Sequence, residues 1–187
     1  MYFKNIMITT LLLLNITYAK NTIGIDINSK DIEILTSIDL NNLTDYDNST
    51  TYTIDANYLH SSGNNMTQIS FSGKNSLQGL GNLTLSLGFS SIFANNFLAF
   101  PLIAKAIYTL PLNVQIPTTS ISINFAYAPS VLSFRDANNY NNFRIEADME
   151  AISNIHLFTG YRTISTNYNY NDKTFNDSFY GGLKLSF

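Results

Sequence analysis

Four charged residues take alternate positions in the stretch Phe143-Arg144-Ile145-Glu146-Ala147-Asp148-Met149-Glu150. In an extended chain successive side chains point to opposite faces, so Arg144, Glu146, Asp148 and Glu150 share one face and the apolar residues share the other. Three acids beside one base need cations from elsewhere if that face is withdrawn from bulk water. Arg162, Lys184 and Lys105 are the bases that stand on other segments of the same alternating kind. The acids Asp26, Asp31, Glu33, Asp39 and Asp55 and the base Lys74 fall on equivalent polar faces. Such a constellation is either an ion-paired plug that fixes the shape of its surroundings or a narrow, charge-lined passage for small polar solutes.

Catalysis would have to use His60, His156 and the carboxylates. Ten-stranded outer-membrane proteases of the omptin type set His and Asp groups at an outer rim, and here only His60 could sit there, with Asp136 or Asp172 nearby. His156 reads as a packing or pairing residue. The chain has no Gly-x-Ser-x-Gly elbow and no His-Glu-x-x-His motif, and no serine stands out as the nucleophile of a lipid-modifying barrel. The expectation is therefore no enzyme, no catalytic residue, no metal and no cofactor. A third class is a recognition or adhesin surface built on the Tyr- and Asn-rich segments 129–142 and 167–177, since that mixture suits binding surfaces.

The elements that must carry these residues show a period of two. Alternation predicts ten strands, at 21–28, 31–40, 51–60, 66–73, 83–92, 97–109, 119–128, 141–151, 155–167 and 176–187. Their apolar sets include Ile23, Ile25 and Ile27; Leu85, Leu87 and Phe89; and Ile121, Ile123, Phe125 and Tyr127. One greasy face and one charged face per strand suit lipid outside and a polar lumen inside. An even strand count with both termini on the periplasmic side gives an antiparallel, up-and-down transmembrane β-barrel of ten strands, or of eight if the first hairpin lies outside the ring. The long periplasmic connections expected at 74–82 and 110–118 leave that choice open.

The ends agree with this reading. Lys4, the apolar run Ile6 to Leu14 and Thr17-Tyr18-Ala19 have the pattern of a secretory signal peptide over residues 1–19, leaving 20–187 as one barrel domain. With Lys4 removed, the 10 basic residues become 9 against 13 acidic ones, a formal charge of −4. That balance offers no basic stripe for nucleic acid. There is no cysteine, which excludes disulfides, thiolate chemistry and a lipid-modified N-terminal cysteine. Charged residues make up only 12% and aromatics 13%, a composition for a surface bathed in lipid. At the other end Phe179, Leu183, Leu185 and Phe187 point one way while Tyr180, Lys184 and Ser186 point the other. The arrangement resembles the C-terminal signal that outer-membrane proteins of Gram-negative bacteria present to the barrel-assembly machinery. The partners expected are that machinery, outer-membrane lipid and lipopolysaccharide, with the protein itself a monomer.

Four short segments in order, Ala99-Phe100-Pro101, Tyr127-Ala128-Pro129 with Val131-Leu132, Gly160-Tyr161-Arg162, and Tyr180-Gly181-Gly182 through Phe187, give the second half of the chain its family resemblance. It resembles the YfaZ family of small bacterial outer-membrane proteins over roughly residues 97 to 187. The resemblance implies an outer-membrane barrel and no particular activity. The expectation is a structural or narrow porin-like barrel in the bacterial outer membrane.

Overall fold

The computed structural model describes residues 21–41, 50–113, 116–168 and 172–187. The expected signal peptide at 1–19 lies outside the described residues. Among the described residues twelve strands follow in chain order: β1 (Thr22–Ile27), β2 (Asp31–Asp39), β3 (Thr51–Ser61), β4 (Asn64–Ser76), β5 (Leu83–Ala94), β6 (Phe97–Ala99), β7 (Leu102–Thr109), β8 (Thr119–Ala128), β9 (Ser133–Arg135), β10 (Ala137–Ile152), β11 (Ile155–Tyr168) and β12 (Asp172–Ser186).

Ten of the twelve form a closed ring in the order β1-β2-β3-β4-β5-β7-β8-β10-β11-β12, every neighbour antiparallel. The ring shuts where β1 meets β12, pairing Ile25 with Leu183, and no ring strand keeps a free edge. The first hairpin belongs to the ring, because β1 pairs with β2 along its whole length and β2 continues onto β3. Ten strands therefore hold and eight do not.

Alternation sets what each face meets. Ile23, Ile25 and Ile27 on β1, Leu85, Leu87 and Phe89 on β5, Ile121, Ile123, Phe125 and Tyr127 on β8, and Leu183 and Leu185 on β12 are all exposed. Their in-between partners Asp26, Ser86, Ala126 and Tyr180 are buried in the lumen. The result is an apolar belt around the outside and a polar interior. Strands β10, β11 and β12 have 16, 14 and 15 residues. At about 3.3 Å per residue these are longer than an apolar band about 25 Å tall requires, so they stand beyond the belt.

Connections at the end carrying the described termini include 153–154 and 77–82; those at the far end include 28–30, 62–63 and the two stretches that hold β6 and β9. Ser62 and Gly63 join β3 to β4 with φ of 47° and 80°, both positive as a two-residue primed turn demands. Asn28 closes β1–β2 by accepting the N–H groups of Lys30 and Asp31 at 2.8 and 2.9 Å, an Asx turn.

Three expected boundaries change. The single strand 97–109 breaks at Phe100-Pro101 into β6 and β7, because Pro101 has no N–H to give the ladder. Its carbonyl still accepts from Ser90 at 2.9 Å. Residues 129–142 are only partly loop: a short 3₁₀ turn at Ser130–Leu132 leads into β9, which pairs with β6, and β10 begins at Ala137. Of 167–177, only 169–171 lie between strands, and those three residues are outside the described set. Asn-rich sequence favours turns, but Tyr140, Ile164 and Phe175 supply an inward apolar set that keeps these upper strands paired.

A closed hydrogen-bonded ring resists detergent. The folded protein should migrate apart from a boiled sample in a cold dodecyl sulfate gel, and coincident bands would refute closure.

Candidate functional site

The lumen has three zones along its axis. At the far end Leu59, Met66, Ile92, Phe97, Tyr140 and Ile164 form a buried apolar cluster inside the ring. Phe97, brought in by the break at Pro101, packs against Tyr140 at 5.9 Å between ring centroids and against Phe175 at 6.2 Å. β6 pairs with neither β10 nor β12 but packs beside β10, and through Phe97 it brings the rings of Tyr140 and Phe175 together inside the far end of the lumen.

Below this cap lies an ionic cluster. Arg162 on β11 is wholly buried, with relative exposure 0%. Its Nη1 donates to Glu33 on β2 and stands 3.6 Å from an Asp26 carboxylate oxygen on β1. Its Nε donates to Asn176 on β12 at 2.9 Å. Asn176 in turn donates to Asp31 at 2.8 Å and Ser61 at 3.0 Å. Arg144 on β10 donates to the same Glu33 oxygen at 2.5 Å. Both guanidinium carbons lie 5.1 Å from the centre of the Tyr180 ring, where the negative face of the ring attracts them.

Tyr180 links this group to a second one. Its hydroxyl donates to Glu146 at 3.0 Å. Lys184 donates to Glu146 at 2.5 Å and Asp148 at 3.2 Å, with its ammonium 4.2 Å from the Phe158 ring centre. His156 Nδ1 meets the other Asp148 oxygen at 2.8 Å. The ring of Tyr180 can cross its neighbour strand because position 160 is glycine: a Cβ there would fall 2.6 Å from the Tyr180 oxygen.

The third zone is a polar cavity of about 310 Å³. Its lining runs from Asn142 and Arg144 at mid-barrel to Thr22, Ser37 and Ser186 at the termini end. One wall carries Glu146, Asp148, His156 and Lys184; the other carries mostly neutral groups, Asn57, Gln68, Ser70, Ser72, Ser86, Ser122 and Asn124, with the charges Asp55 and Lys105.

Most of the charges expected to meet do meet. Arg144, Glu146, Asp148, Arg162 and Lys184 form one network with Asp26, Asp31 and Glu33. Glu150 departs from it. Its carboxylate accepts the Asn154 N–H at 3.1 Å and so holds the β10–β11 turn, where Asn154 has φ +68°. Asp39 likewise holds a strand end, accepting from the Asn41 N–H at 2.9 Å. Lys105 faces the cavity without an ion pair. At the far rim His60 bonds Asn65 across its hairpin at 2.7 Å, and among the described residues it has no ion pair with Asp136; the Asp172 side chain lies outside them. No cluster of three metal-ligating side chains occurs among the described residues.

Sequence reasoning missed Tyr180 as the hub and missed the apolar cap. The signal for the cap was present: Leu59, Tyr140 and Ile164 share parity with the luminal residues Asp55, Arg144 and Arg162.

Removing one partner of a buried ion pair leaves the other uncompensated, at a cost of about 3–5 kcal/mol. Arg162→Met should therefore lower stability on that scale, measured by guanidinium unfolding in detergent, because Asp26 and Glu33 lose their shared cation. Glu150→Gln, which keeps an acceptor for the turn, should fall within about 0.5 kcal/mol of wild type. Equal effects would show that Arg162 is not the keystone of the cluster.

No family model matches the chain, and no curated protein matches it. Solved structures do resemble it in fold. A bacterial polysaccharide outer-membrane secretin superposes with a TM-score of 0.51 at 10% identity, over 89% of this chain and 68% of that one. The NanC porin gives 0.45 at 11% identity, over 90% and 98%. The KdgM porin in complex with disordered oligogalacturonate gives 0.46 at 11% identity, over 89% and 98%. At such identity the likeness to the secretin is one of fold alone: the chain is a closed antiparallel β-barrel.

Proposed function

We propose that this protein is an outer-membrane barrel of porin-like build whose lumen is occluded, with its termini on the periplasmic side. The observation that carries the reading is the complete burial of Arg162 at mid-lumen, ion-paired across the bore to β2 and roofed by the Phe97–Tyr140–Phe175 cluster. A water-filled channel would leave a lysine or arginine there hydrated. The exposed belt supports a membrane setting, because only a closed ring satisfies every backbone group in lipid.

The same proposal includes lipid and lipopolysaccharide as the belt's surroundings, a monomeric state and kinship with the YfaZ family. It also includes recognition of Phe179, Leu183, Leu185 and Phe187 by the barrel-assembly machinery. All four lie on the outward face, exposed by 43–76%.

Two measurements test it. In planar bilayers the wild type should be silent or pass only small currents, while Phe97→Ala combined with Arg162→Ser should conduct. General-porin currents from the wild type would overturn the occlusion. A cysteine introduced at Asn95, in the far-end turn, should react with an impermeant reagent on whole cells, and one at Asn154 only after the outer membrane is permeabilised. The reverse pattern would invert the orientation.

A further inference from the structure

Two charges in the lumen touch no partner, although Glu146 and Asp55 attract Lys105 at longer range. Lys105 on β7 and Asp55 on β3 both line the cavity, and among the described residues neither makes a hydrogen bond through its side chain or an ion pair within 4 Å. The other charged groups of the lining, Arg144, Glu146, Asp148 and Lys184, are held by ion pairs. Beside Lys105, its cross-strand neighbour Asn124 has a buried side-chain oxygen with no donor.

We propose that this cavity is a binding site for a small zwitterion, a molecule of amino-acid size carrying one carboxylate and one ammonium group. Lys105 takes the carboxylate and Asp55 the ammonium. Three features fix the ligand class. The two unpaired charges have opposite signs, so a plain anion or plain cation would satisfy one and leave the other bare in a partly dehydrated site. They stand on strands three apart in the ring, and the pairing puts Asp55 in the row of Ser90 and Lys105 in the row of Ser86, so they reach the same cavity from different heights. The volume lies at the lower limit of about 300 Å³ for ligand pockets, and the neutral wall of Ser70, Ser86, Ser122 and Asn124 offers hydroxyl and amide contacts in place of apolar ones.

The site rests on the occluded-barrel reading, since the apolar cap is what makes the cavity blind and gives it one mouth, at the termini end. A blind pocket retains a ligand where an open channel would pass it.

The test uses the full barrel refolded in detergent and isothermal titration calorimetry with three probes of matched size: L-serine, 3-hydroxypropionate, which lacks the ammonium, and ethanolamine, which lacks the carboxylate. L-serine should bind wild type at least tenfold more tightly than either analogue. Asp55→Asn should abolish its advantage over 3-hydroxypropionate, and Lys105→Met its advantage over ethanolamine, with the heat-modifiable gel shift intact in both. The proposal is overturned if L-serine does not bind, binds no better than the analogues, or binds both variants as it binds wild type. Bilayer conductance reports on the occlusion separately: a silent barrel without L-serine binding removes the site and leaves the occlusion standing.

Discussion

Strand register commits the side chains of this barrel, with shifts only near the strand ends at Ala137/Asn139 and Glu150/Ile152 and at Ile164/Ser165 among the described residues. Because the side-chain period is two, a slip of one residue between β10 and β11 would carry Arg144, Glu146 and Asp148 together to the apolar outer face and Phe143 and Ile145 to the lumen. Lipid-facing Arg or Lys at mid-depth costs about 2–4 kcal/mol, and several such residues are coupled on one strand. The charge cluster and the belt are therefore two consequences of a single constraint. Closure adds to it: with β1 locked to β12 through the pairs Ile25–Leu183 and Gly24–Lys184, no strand can slide alone.

That constraint explains which parts of the fold could be read from sequence. The segment 119–128 was legible to the residue because Ile121, Ile123, Phe125 and Tyr127 alternate with Ser122, Asn124 and Ala126 without interruption. The charged face of 144–148 was legible for the same reason. Alternation loses its meaning above the belt, where both faces of a strand can be polar. There residues 137–140 and 172–175 read as loop, although pairs such as Tyr140–Thr166 and Thr166–Lys173 extend the ladder through them.

The site was legible in sign but not in connectivity. Parity places Arg162 and Lys184 inside with the acids of β10; it does not say that Arg162 reaches past β12 to Glu33 on β2. That link depends on the curvature of the ring, which brings strands far apart in sequence to within one side-chain length. The role of Tyr180 depends on Gly160, since only a missing Cβ lets the ring lie across β11 to reach Glu146. Glu150 shows the opposite limit. It has the parity of the cluster but sits at the last turn, where a backbone N–H competes for it and wins.

The lumen is chemically lopsided. Strands β1, β2, β10, β11 and β12 carry the paired charges, while β3, β4, β5, β7 and β8 contribute mostly serines and amides; the far-end apolar residues come from both sets. The paired wall joins the first and last strands of the chain across the closing seam, so its ion pairs tie the ends of the ring together. Breaking them would loosen the one junction that no turn reinforces. The neutral wall is made of consecutive hairpins already held by their connections, and it has no comparable structural need for charge. Lys105 and Asp55 stand on that wall, outside the network that secures the seam, so their presence in a partly dehydrated cavity is not accounted for by closure.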